Sequence, residues 1–571
     1  MKKNNTIVLA LVLVLAFLLC TFAGCADQGD AAADASGAAD TADTGAENQE
    51  PTPTPTPADP ADSTEEETGN GIDSEAMYEA ILAEFVEIAK VPRGSSHTEQ
   101  ISDYLLNWGE DHGFVSEQDE VGNVRWEVPA TAGYENMPLT ALQVHMDMVT
   151  VSDDGRDMLT SPIVVVEDKE NGIISSDGHT SLGSDDGIGI ASAMYLAVSD
   201  EYVHGPIRVI ITINEEGGSP SGTGNMDPAW VADAQYMVNI DAEDYATCTV
   251  AACGFAAYMY DIALESEAAA ADKVAYTIDL HDLKGGHSGV DIDKNRANAI
   301  KAVDYCLAWS KYKGIDIQIA SFTGGTGMTA IPALASATVV FSPEYEELFK
   351  AEMDKTISFF AGQYDRTEEG YTFEYIPAEL PEQVLTLDCS ANIIDFIAAV
   401  EDGVNTVSQR YAGITESSFN LGTVSVIAGE ESTSLTVPMR LSAAWPGMLA
   451  NMQFQALANA FGVTITSWSA DPYEPENISL GWVEKEGDTI AQMYKRAFEE
   501  FTGDTCEITA VHGGLECADF AEMNPDLQII AVGPTIESPH SVHEYIEIDT
   551  IPTTCGAIAT LLTYIANGIT E

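Results

Sequence analysis

Basic residues are scarce in this chain of 571 residues. It contains 23 lysines and arginines against 92 aspartates and glutamates, which gives a formal net charge of -69. A surface with this charge repels nucleic acid phosphates and anionic lipid headgroups, so the composition excludes both as partners. The simplest role of the excess acid is solubility, and the charge does not identify a substrate.

Cysteine pairs with the spacing of redox or metal motifs are also missing. Apart from Cys20 and Cys25, the seven cysteines are scattered and include no CxxC pair. Because an odd number cannot pair completely within one chain, we interpret them mainly as small buried apolar residues. The chain shows no internal repeat, and 45% hydrophobic residues over this length are enough for more than one domain.

The first 25 residues have the pattern of a secretory signal. A basic start precedes an apolar run from Ile7 to Leu19, and Ala23 and Gly24 stand directly before Cys25. Small residues before a cysteine resemble the bacterial lipoprotein box, although Phe22 departs from its usual aliphatic residue. We therefore expect a lipoprotein that is lipidated at Cys25 and held on the extracellular face of the cell membrane. An uncleaved membrane anchor is the alternative.

The next segment, residues 26–74, is rich in Ala, Asp, Thr, Glu and Pro and has few large apolar residues. Such a segment cannot bury enough surface to offset its ordering entropy, so we predict a disordered linker. Pro and Thr alternate from Pro51 to Pro57, which favours an extended polyproline II tether between lipid and globular part.

The globular part is predicted as one domain inserted into another. Helical spacing of apolar residues predicts a helix over Ala76–Lys90, and short apolar runs predict buried strands over Leu139–Val144 and Ile207–Ile213 with the helix Gly187–Val198 between them. This is an α/β pattern, with a mixed sheet flanked by helices. Ligands in such sheets lie at the carboxyl ends of strands.

From residue 256 the pattern changes to an α+β insert. Strands are predicted over Val274–Leu280 and Ala335–Phe341, with a helix over Asn298–Trp309. After residue 466 the chain returns to the first domain. The predicted limits are 75–255 and 467–571 for the two parts of the catalytic domain, and 256–466 for a lid or dimerisation insert.

Five short motifs of acidic residues and histidine follow one another in the globular part. They supply two histidines and a group of carboxylates, which is the ligand set that two close divalent cations need. In order they are Val144–Asp147 (VHMD), Gly183–Gly187 (GSDDG), Asn214–Gly218 (NEEGG), Asn239–Asp241 (NID) and Ser538–Ser541 (SPHS). Taken together, they predict a metallohydrolase.

Local reasoning suggests roles for some of these residues. His145 and Asp147 are two apart at a strand end, so their side chains share a face and Asp147 is able to orient the imidazole. Glu215 and Glu216 follow a buried strand, where a metal-bound carboxylate beside a free one gives a ligand and a general base. Solvated surface charge is the alternative for each pair, and the whole set of motifs argues against it.

The order of these motifs resembles the dizinc exopeptidases of the aminoacylase and carboxypeptidase superfamily. Within it, four runs resemble the aminoacyl-histidine (Xaa-His, carnosinase-like) dipeptidases. They are 176–191 (SDGHTSLGSDDGIGIA), 284–299 (KGGHSGVDIDKNRANA), 512–517 (HGGLEC) and 533–544 (GPTIESPHSVHE). The resemblance runs from about residue 75 to the C-terminus and implies a metallopeptidase catalytic domain with an inserted lid.

The resemblance also implies a role for individual residues. His145 and Asp241 would bind one metal, Glu216 and His540 the other, and Asp185 would bridge both through a loop with a cis Asp185–Asp186 peptide. The metals are expected to be zinc, with manganese or cobalt as alternatives.

Catalytic and substrate-binding roles follow from the same resemblance. Glu215 would be the general base, Asp147 would orient the histidine ligand, and His287 of the insert would stabilise the oxyanion. Arg440 would bind the substrate carboxylate. His512 is a candidate substrate-pocket residue, with a structural histidine as the open alternative.

Two departures from the family pattern concern substrate recognition. The basic residue expected around Ala330–Pro332 is missing, and the Asp expected after His-Ser-Pro is replaced in the run His540–His543. No predicted metal ligand is lost.

The predicted function is a lipid-anchored dipeptidase that hydrolyses small peptides of the Xaa-His type, such as β-Ala-His. A tripeptidase or N-acyl amino acid deacylase of the same superfamily, and a non-catalytic peptide-capture lipoprotein, remain open alternatives. By analogy with related enzymes, a homodimer through the insert is also open.

Overall fold

The computed structural model describes residues 72–442, 444–467 and 481–570. The predicted signal peptide, its Cys25 and nearly all of the predicted linker lie outside these ranges. At the start of the described residues, Ile72 is buried in the core and Asp73 caps the first helix by accepting a hydrogen bond from the Ala76 N–H at 3.1 Å.

The described residues contain ten α-helices and four 3₁₀ helices. The α-helices are α1 (Ser74–Ile88), α2 (Glu99–Asp111), α3 (Ser184–Val198), α4 (Ala299–Tyr312), α5 (Glu346–Tyr364), α6 (Leu387–Ala399), α7 (Ala444–Phe461), α8 (Ile490–Thr502), α9 (Cys517–Met523) and α10 (Thr550–Ala566). The 3₁₀ helices are Thr223–Asn225, Pro228–Trp230, Ile292–Lys294 and Pro343–Tyr345.

The described strands fall into two halves along the chain. The first half comprises β1 (Val115–Gln118), β2 (Val124–Val128), β3 (Thr140–His145), β4 (Val166–Asp168), β5 (Ile173–Ser175), β6 (Ile207–Thr212), β7 (Tyr236–Asn239), β8 (Thr247–Ala263), β9 (Ser266–Ala268), β10 (Val274–His281), β11 (Gln318–Gly324) and β12 (Ala335–Phe341). The second half comprises β13 (Thr372–Ala378), β14 (Gln383–Leu385), β15 (Gly403–Val407), β16 (Thr415–Phe419), β17 (Val424–Ile427), β18 (Ser432–Leu441), β19 (Thr464–Ser467), β20 (Gly481–Val483), β21 (Glu507–Val511), β22 (Gln528–Ala531), β23 (Ile536–Glu537) and β24 (Tyr545–Glu547).

A mixed sheet forms the centre of the fold. Its order is β1-β2-β6-β3-β7-β22-β8-β18-β16-β15, with β19, β20 and β21 also paired to β8. Strand β3 pairs in parallel with both β6 and β7, so the carboxyl ends of these three strands share one edge of the sheet. Strands β3 and β6 are buried along their whole length, which agrees with the continuous apolar runs that predicted them.

The predicted insert contains a second, antiparallel sheet with the order β13-β10-β12-β11-β17. The predicted strands and helix there are observed as β10, β12 and α4, with ends that differ from the prediction by at most a few residues. The long strand β8 belongs to the central sheet and pairs with β21 near its start and with β18 towards its end. The predicted boundary at 255–256 lies inside β8, and the domain limits stay a prediction.

Two large apolar cores correspond to these two regions. One is built around α1, α3, α8, α10 and the parallel strands, and includes Phe85, Leu142 and Tyr494. The other lies between the second sheet, the far part of β8 and α4, α6 and α7, and includes Phe322 and Phe454. The mixed α/β architecture predicted for the catalytic domain is therefore observed.

The state of the cysteines and the character of the helices complete the description. The seven cysteines of the described residues are free, and all but the half-buried Cys389 are buried, as predicted. Within residues 72–442, 444–467 and 481–570, every helix is too short or too polar to span a bilayer.

Candidate metal centre and active site

The ends of three neighbouring strands bring the acidic and histidine motifs together. β3 ends at His145, β6 ends just before Glu215 and Glu216, and β7 ends just before Asp241. Helix α3 starts above the same edge and carries Asp185 in its first turn. The parallel pairing of the strands therefore places residues that are up to about a hundred positions apart in one cluster.

His145 is the centre of one side of this cluster. Its Nε2 atom lies 3.0 Å from Oδ1 of Asp185 and 3.3 Å from Oδ1 of Asp241. Its Nδ1 atom is 3.5 Å from Oδ1 of Asp147. The ring is completely buried among these three carboxylates.

His540 occupies the other side. Its Nε2 atom lies 2.6 Å from Oε1 of Glu216 and 3.1 Å from Oδ2 of Asp185. The two oxygens of Asp185 therefore face two different histidines, which is the arrangement expected of a carboxylate that bridges two metals. Ser538 and His540 both have positive φ, 54° and 60°, a conformation that non-glycine residues adopt rarely and often at functional sites.

The irregular first turn of α3 contains a cis Asp185–Asp186 peptide, as the resemblance predicts. The neighbouring carboxylate of Asp186 turns inwards, where its Oδ2 accepts a hydrogen bond from the His145 backbone N–H at 3.1 Å. Candidate metal-binding groups with ligand atoms within 4.8 Å of one another are His145, Asp185 and Glu216, and His145, Asp186 and Asp241. The structure thus gathers all five predicted ligands and adds Asp186 beside them.

The carboxylates of the cluster are held where negative charge is unfavourable. Burial, together with the charge of Asp241, raises the pKa values of Glu215 and Asp186 well above their ordinary range. Burial and the neighbouring Asp185 raise the pKa of Glu216 to about 7 and that of Asp241 to about 6. Such a group of like charges requires positive charge close by.

The two imidazoles respond in the opposite direction. Burial alone would lower the pKa of His540, but its hydrogen bonds with Asp185 and Glu216 outweigh this and raise that pKa to about 11. The pKa of His145 is likewise raised well above its ordinary value against the effect of burial, chiefly by Asp241. Two divalent cations would supply the same positive charge and take both rings as neutral ligands. The donor set therefore fits a dinuclear metal centre.

Asp147 connects the histidine to the loop that carries the glutamates. Its carboxylate accepts the backbone N–H of Glu215 at 3.0 Å and that of Glu216 at 3.3 Å, and also the Ser95 hydroxyl at 2.8 Å. Burial is outweighed by the hydrogen bonds and charge of His145, so the pKa of Asp147 is lowered and the group stays ionised. Asp147 can thus orient His145 and hold the glutamate loop at the same time.

The predicted insert contributes a histidine and an arginine that contact each other. Nε2 of His287 lies 3.0 Å from Nη2 of Arg440, whose guanidinium also stacks 5.5 Å from the ring centre of Phe255. Arg440 is buried whereas His287 is exposed, and the Nε atom of Arg440 has no hydrogen-bond partner among the described residues. The pair therefore has unused donor capacity for a ligand.

His512 is buried near this pair. Its Nδ1 atom is 2.8 Å from Sγ of Cys253, and its Nε2 atom is 2.7 Å from the hydroxyl of Ser418. Burial and the charge of Arg440 lower the pKa of His512 to about 4, so the ring is neutral at neutral pH. Both ring nitrogens have partners within the protein, which favours a structural role over direct substrate contact.

Sequence reasoning missed several charged residues that pack beneath the cluster. Arg93 lies just beyond the first predicted helix, Ala76–Lys90, whereas Glu516 and Glu544 are inside the HGGLEC and GPTIESPHSVHE runs without an assigned role. Glu516 accepts hydrogen bonds from Gln143 at 2.7 Å and from Thr212, and burial raises its pKa to about 8. The place of the two glutamates within the motifs indicated that they belong to the site. Their contacts are with residues far away in sequence, so the sequence alone could not predict them.

Comparison with known proteins agrees with this geometry. Residues 141–564 match the family described as Peptidase family M20/M25/M40. The cytosol non-specific dipeptidase of Escherichia coli (strain K12) is 28% identical over 481 residues, which cover 84% of this chain and 95% of that protein. The crystal structure of the aminoacylhistidine dipeptidase from Vibrio alginolyticus is 27% identical, covers 85% of this chain and 96% of that chain, and superposes with a TM-score of 0.72.

Proposed function

We propose a specific activity for this chain from the premise that it belongs to peptidase family M20/M25/M40. The predicted family resemblance and metallopeptidase fold are confirmed, and the chain is a dipeptidase of that family with candidate metal-binding residues. The proposed activity is the metal-dependent hydrolysis of dipeptides, with a preference for the Xaa-His type such as β-Ala-His.

The observation that carries the proposal is the position of Asp185 between two histidines, with one carboxylate oxygen 3.0 Å from His145 and the other 3.1 Å from His540. His145 and Asp241 would hold one cation, Glu216 and His540 the other, and Asp185 both. Bound there, two cations would supply a water with a lowered pKa and a Lewis acid for the peptide carbonyl. Zinc suits this mixture of imidazole and carboxylate ligands, with manganese and cobalt as alternatives.

The residues around this centre account for the remaining steps. Glu215 is the free carboxylate beside a ligand, and its raised pKa suits a base that takes the proton of the attacking water and returns it to the leaving amine. Asp147 holds Glu215 in place through the backbone N–H. His287 would donate a hydrogen bond to the oxyanion, and Arg440 would bind the carboxylate of the substrate.

The proposed preference for Xaa-His substrates is supported by one of the two similar proteins. The similar Vibrio structure is that of an aminoacylhistidine dipeptidase, whereas the similar Escherichia coli protein is described as non-specific. A broader dipeptide range is therefore the nearest alternative. The basic residue that the family pattern has around Ala330–Pro332 is missing here. Because that departure concerns substrate recognition, a tripeptidase and an N-acyl amino acid deacylase are further alternatives. A peptide-capture protein would need no general base, so the retention of Glu215 argues against it.

The experiment that tests the activity is hydrolysis of a substrate panel by the full-length protein with and without chelator. The panel contains β-Ala-His, other Xaa-His dipeptides, dipeptides without histidine, tripeptides and N-acyl amino acids. We expect chelator-sensitive cleavage, with the Xaa-His dipeptides hydrolysed faster than the other members of the panel. Chelator-sensitive cleavage of the other members only would move the specificity to the alternatives, and binding of peptides without cleavage by metal-loaded protein would favour capture.

The location of the enzyme is proposed from the N-terminal sequence. We infer that Cys25 is lipidated and that the predicted linker, residues 26–74, tethers the enzyme to the extracellular face of the cell membrane. Metabolic labelling with radioactive palmitate should mark the protein, and Cys25→Ser should abolish the label. An unlabelled protein recovered from the cytosol would overturn this proposal.

A further inference from the structure

The buried carboxylate of Glu544 binds the loop that carries Asp185. It accepts the backbone N–H groups of Leu182 at 2.8 Å, Gly183 at 3.1 Å and Ser184 at 2.7 Å, and also the hydroxyl of Ser184. Glu544 is 3% exposed, and these four donors satisfy its charge inside the protein. A carboxylate at the start of helix α3 is also favoured by the helix dipole.

Glu544 belongs to the same short turn as His540. Within this turn, the Ser541 hydroxyl donates to the Ser538 carbonyl at 2.8 Å and accepts the His543 N–H at 3.1 Å. The Glu544 N–H donates to the Ser541 carbonyl at 3.3 Å. The position of Glu544 is thus tied to that of His540 by a hydrogen-bonded turn.

Arg93 binds the same loop from its carbonyl side. Its guanidinium donates to the carbonyl of Gly183, to that of Met146 at 3.1 Å and to that of Asp147 at 3.0 Å. Arg93 is 1% exposed. Glu544 therefore holds the segment 182–184 through the N–H groups of that segment, and Arg93 holds it through the Gly183 carbonyl. Arg93 also binds the residues that follow His145 at the end of β3.

Gly183 is needed where these two side chains meet. Its φ of 68° lies in the left-handed region, and a Cβ atom there would lie 2.7 Å from both Nη2 of Arg93 and Sδ of Met148. The loop can approach Arg93 this closely only without a side chain at 183.

From these contacts we propose that Glu544 is a positioning residue, which fixes the spacing between His540 and Asp185 and so sets the affinity of the centre for its metals. The inference rests on the proposed function, since it assumes that the two residues are ligands. The carboxylate of Glu544 is taken up by donors of Leu182, Gly183 and Ser184, so it would act through the loop and the turn. Partners that orient metal ligands typically change metal affinity by about 10- to 100-fold when they are replaced.

The test compares Glu544→Gln with Glu547→Gln, an exposed glutamate three positions further along, in full-length protein stripped by chelator. Isothermal titration with Zn²⁺ should show a loss of affinity of about 10- to 100-fold for Glu544→Gln and wild-type affinity for Glu547→Gln. Saturating Zn²⁺ should restore the turnover of Glu544→Gln, a rescue that a purely structural defect would not give. Wild-type affinity in folded Glu544→Gln would overturn the inference alone, and a wild-type protein that takes up no metal would overturn the proposed function with it.

Ser184→Ala covers the case in which Glu544→Gln does not fold. It removes one of the four donors to Glu544 and leaves every charge in place. A loss of Zn²⁺ affinity of about two- to tenfold is expected, which is the weight of a single hydrogen bond. An unchanged affinity for Ser184→Ala would contradict the proposed role.

Discussion

Nε2 of His287 accepts a hydrogen bond from Nη2 of Arg440 at 3.0 Å. A guanidinium can only donate, so the proton of the neutral imidazole must be on Nδ1 in this arrangement. Partial desolvation of the ring and the charge of the adjacent Arg440 lower the pKa of His287 to about 4, which keeps the ring neutral at neutral pH. A substrate carboxylate that binds Arg440 would release Nε2, and His287 would then be free to turn towards the reacting carbonyl.

We expect His287→Ala to lower the turnover number by about 100-fold or more while metal content stays at the wild-type level, because one oxyanion donor is lost and no ligand is changed. Steady-state kinetics and elemental analysis of the same preparation measure both quantities. His281→Ala is the matched control, since His281 is on the same insert and pairs with Asp282 at the surface. Loss of metal from His287→Ala would contradict its assignment to the insert side of the site.

Arg440→Gln is expected to remove the preference for a free C-terminal carboxylate. Truncation of one partner of a buried charge pair costs about 2–5 kcal/mol, so kcat/KM for a dipeptide should fall by more than tenfold, whereas that for the dipeptide amide should change little. The ratio of the two substrates in wild type and variant is the measurement. Arg410→Gln, an exposed arginine paired with Glu484, is the control. An unchanged ratio would exclude Arg440 from carboxylate binding.

Glu215→Gln should keep both metals and lose turnover by about 10²- to 10⁴-fold, because the amide cannot accept the proton of the attacking water. Turnover and metal content are measured on the same sample, with the exposed Glu170→Gln as the control. If Glu215→Gln stays active, another group is the base.

Much of the site could be predicted from the sequence because each motif is local. The apolar run before His145 and the one before Glu215 predict buried strands, and the carboxyl ends of parallel strands meet at one edge. The predicted ligands therefore come together in the structure, and Asp185 lies between the two histidines as its predicted bridging role requires. Their roles as ligands stay predictions until metal binding is measured.

The supporting residues could not be predicted because their partners are distant in sequence. Arg93 and Glu544 meet the same loop from positions about 90 residues before and 360 residues after it. The spacing of apolar residues, which predicts strands and helices, carries no information about such a long-range contact. The same limit applies to β8, whose run of buried small and aromatic residues crosses the predicted domain boundary without any turn signal.

Removal of the metals should destabilise the fold as well as abolish activity. Without cations, Glu215, Glu216 and Asp241 remain close together in a buried site. A metal that binds only the folded state stabilises that state by about 4 kcal/mol when the metal concentration is a thousand times the dissociation constant. Thermal unfolding of the full-length protein with chelator, and again after zinc is restored, measures the difference. A midpoint that is the same in both conditions would mean that the cluster holds no metal in solution.

His512 should make the folded protein sensitive to acid between its two pKa values. Its pKa is about 4 in the fold and 6.5 in the unfolded chain, so between these values the unfolded state binds the proton more readily. The free energy of unfolding should therefore be constant above pH 7 for this group, fall as the pH drops through 6.5, and lose up to about 3 kcal/mol by pH 4. In chelator, where metal release plays no part, urea unfolding of His512→Gln should show a smaller loss between pH 7 and pH 4.5 than wild type. Parallel curves over that range would show that His512 takes up its proton equally in both states.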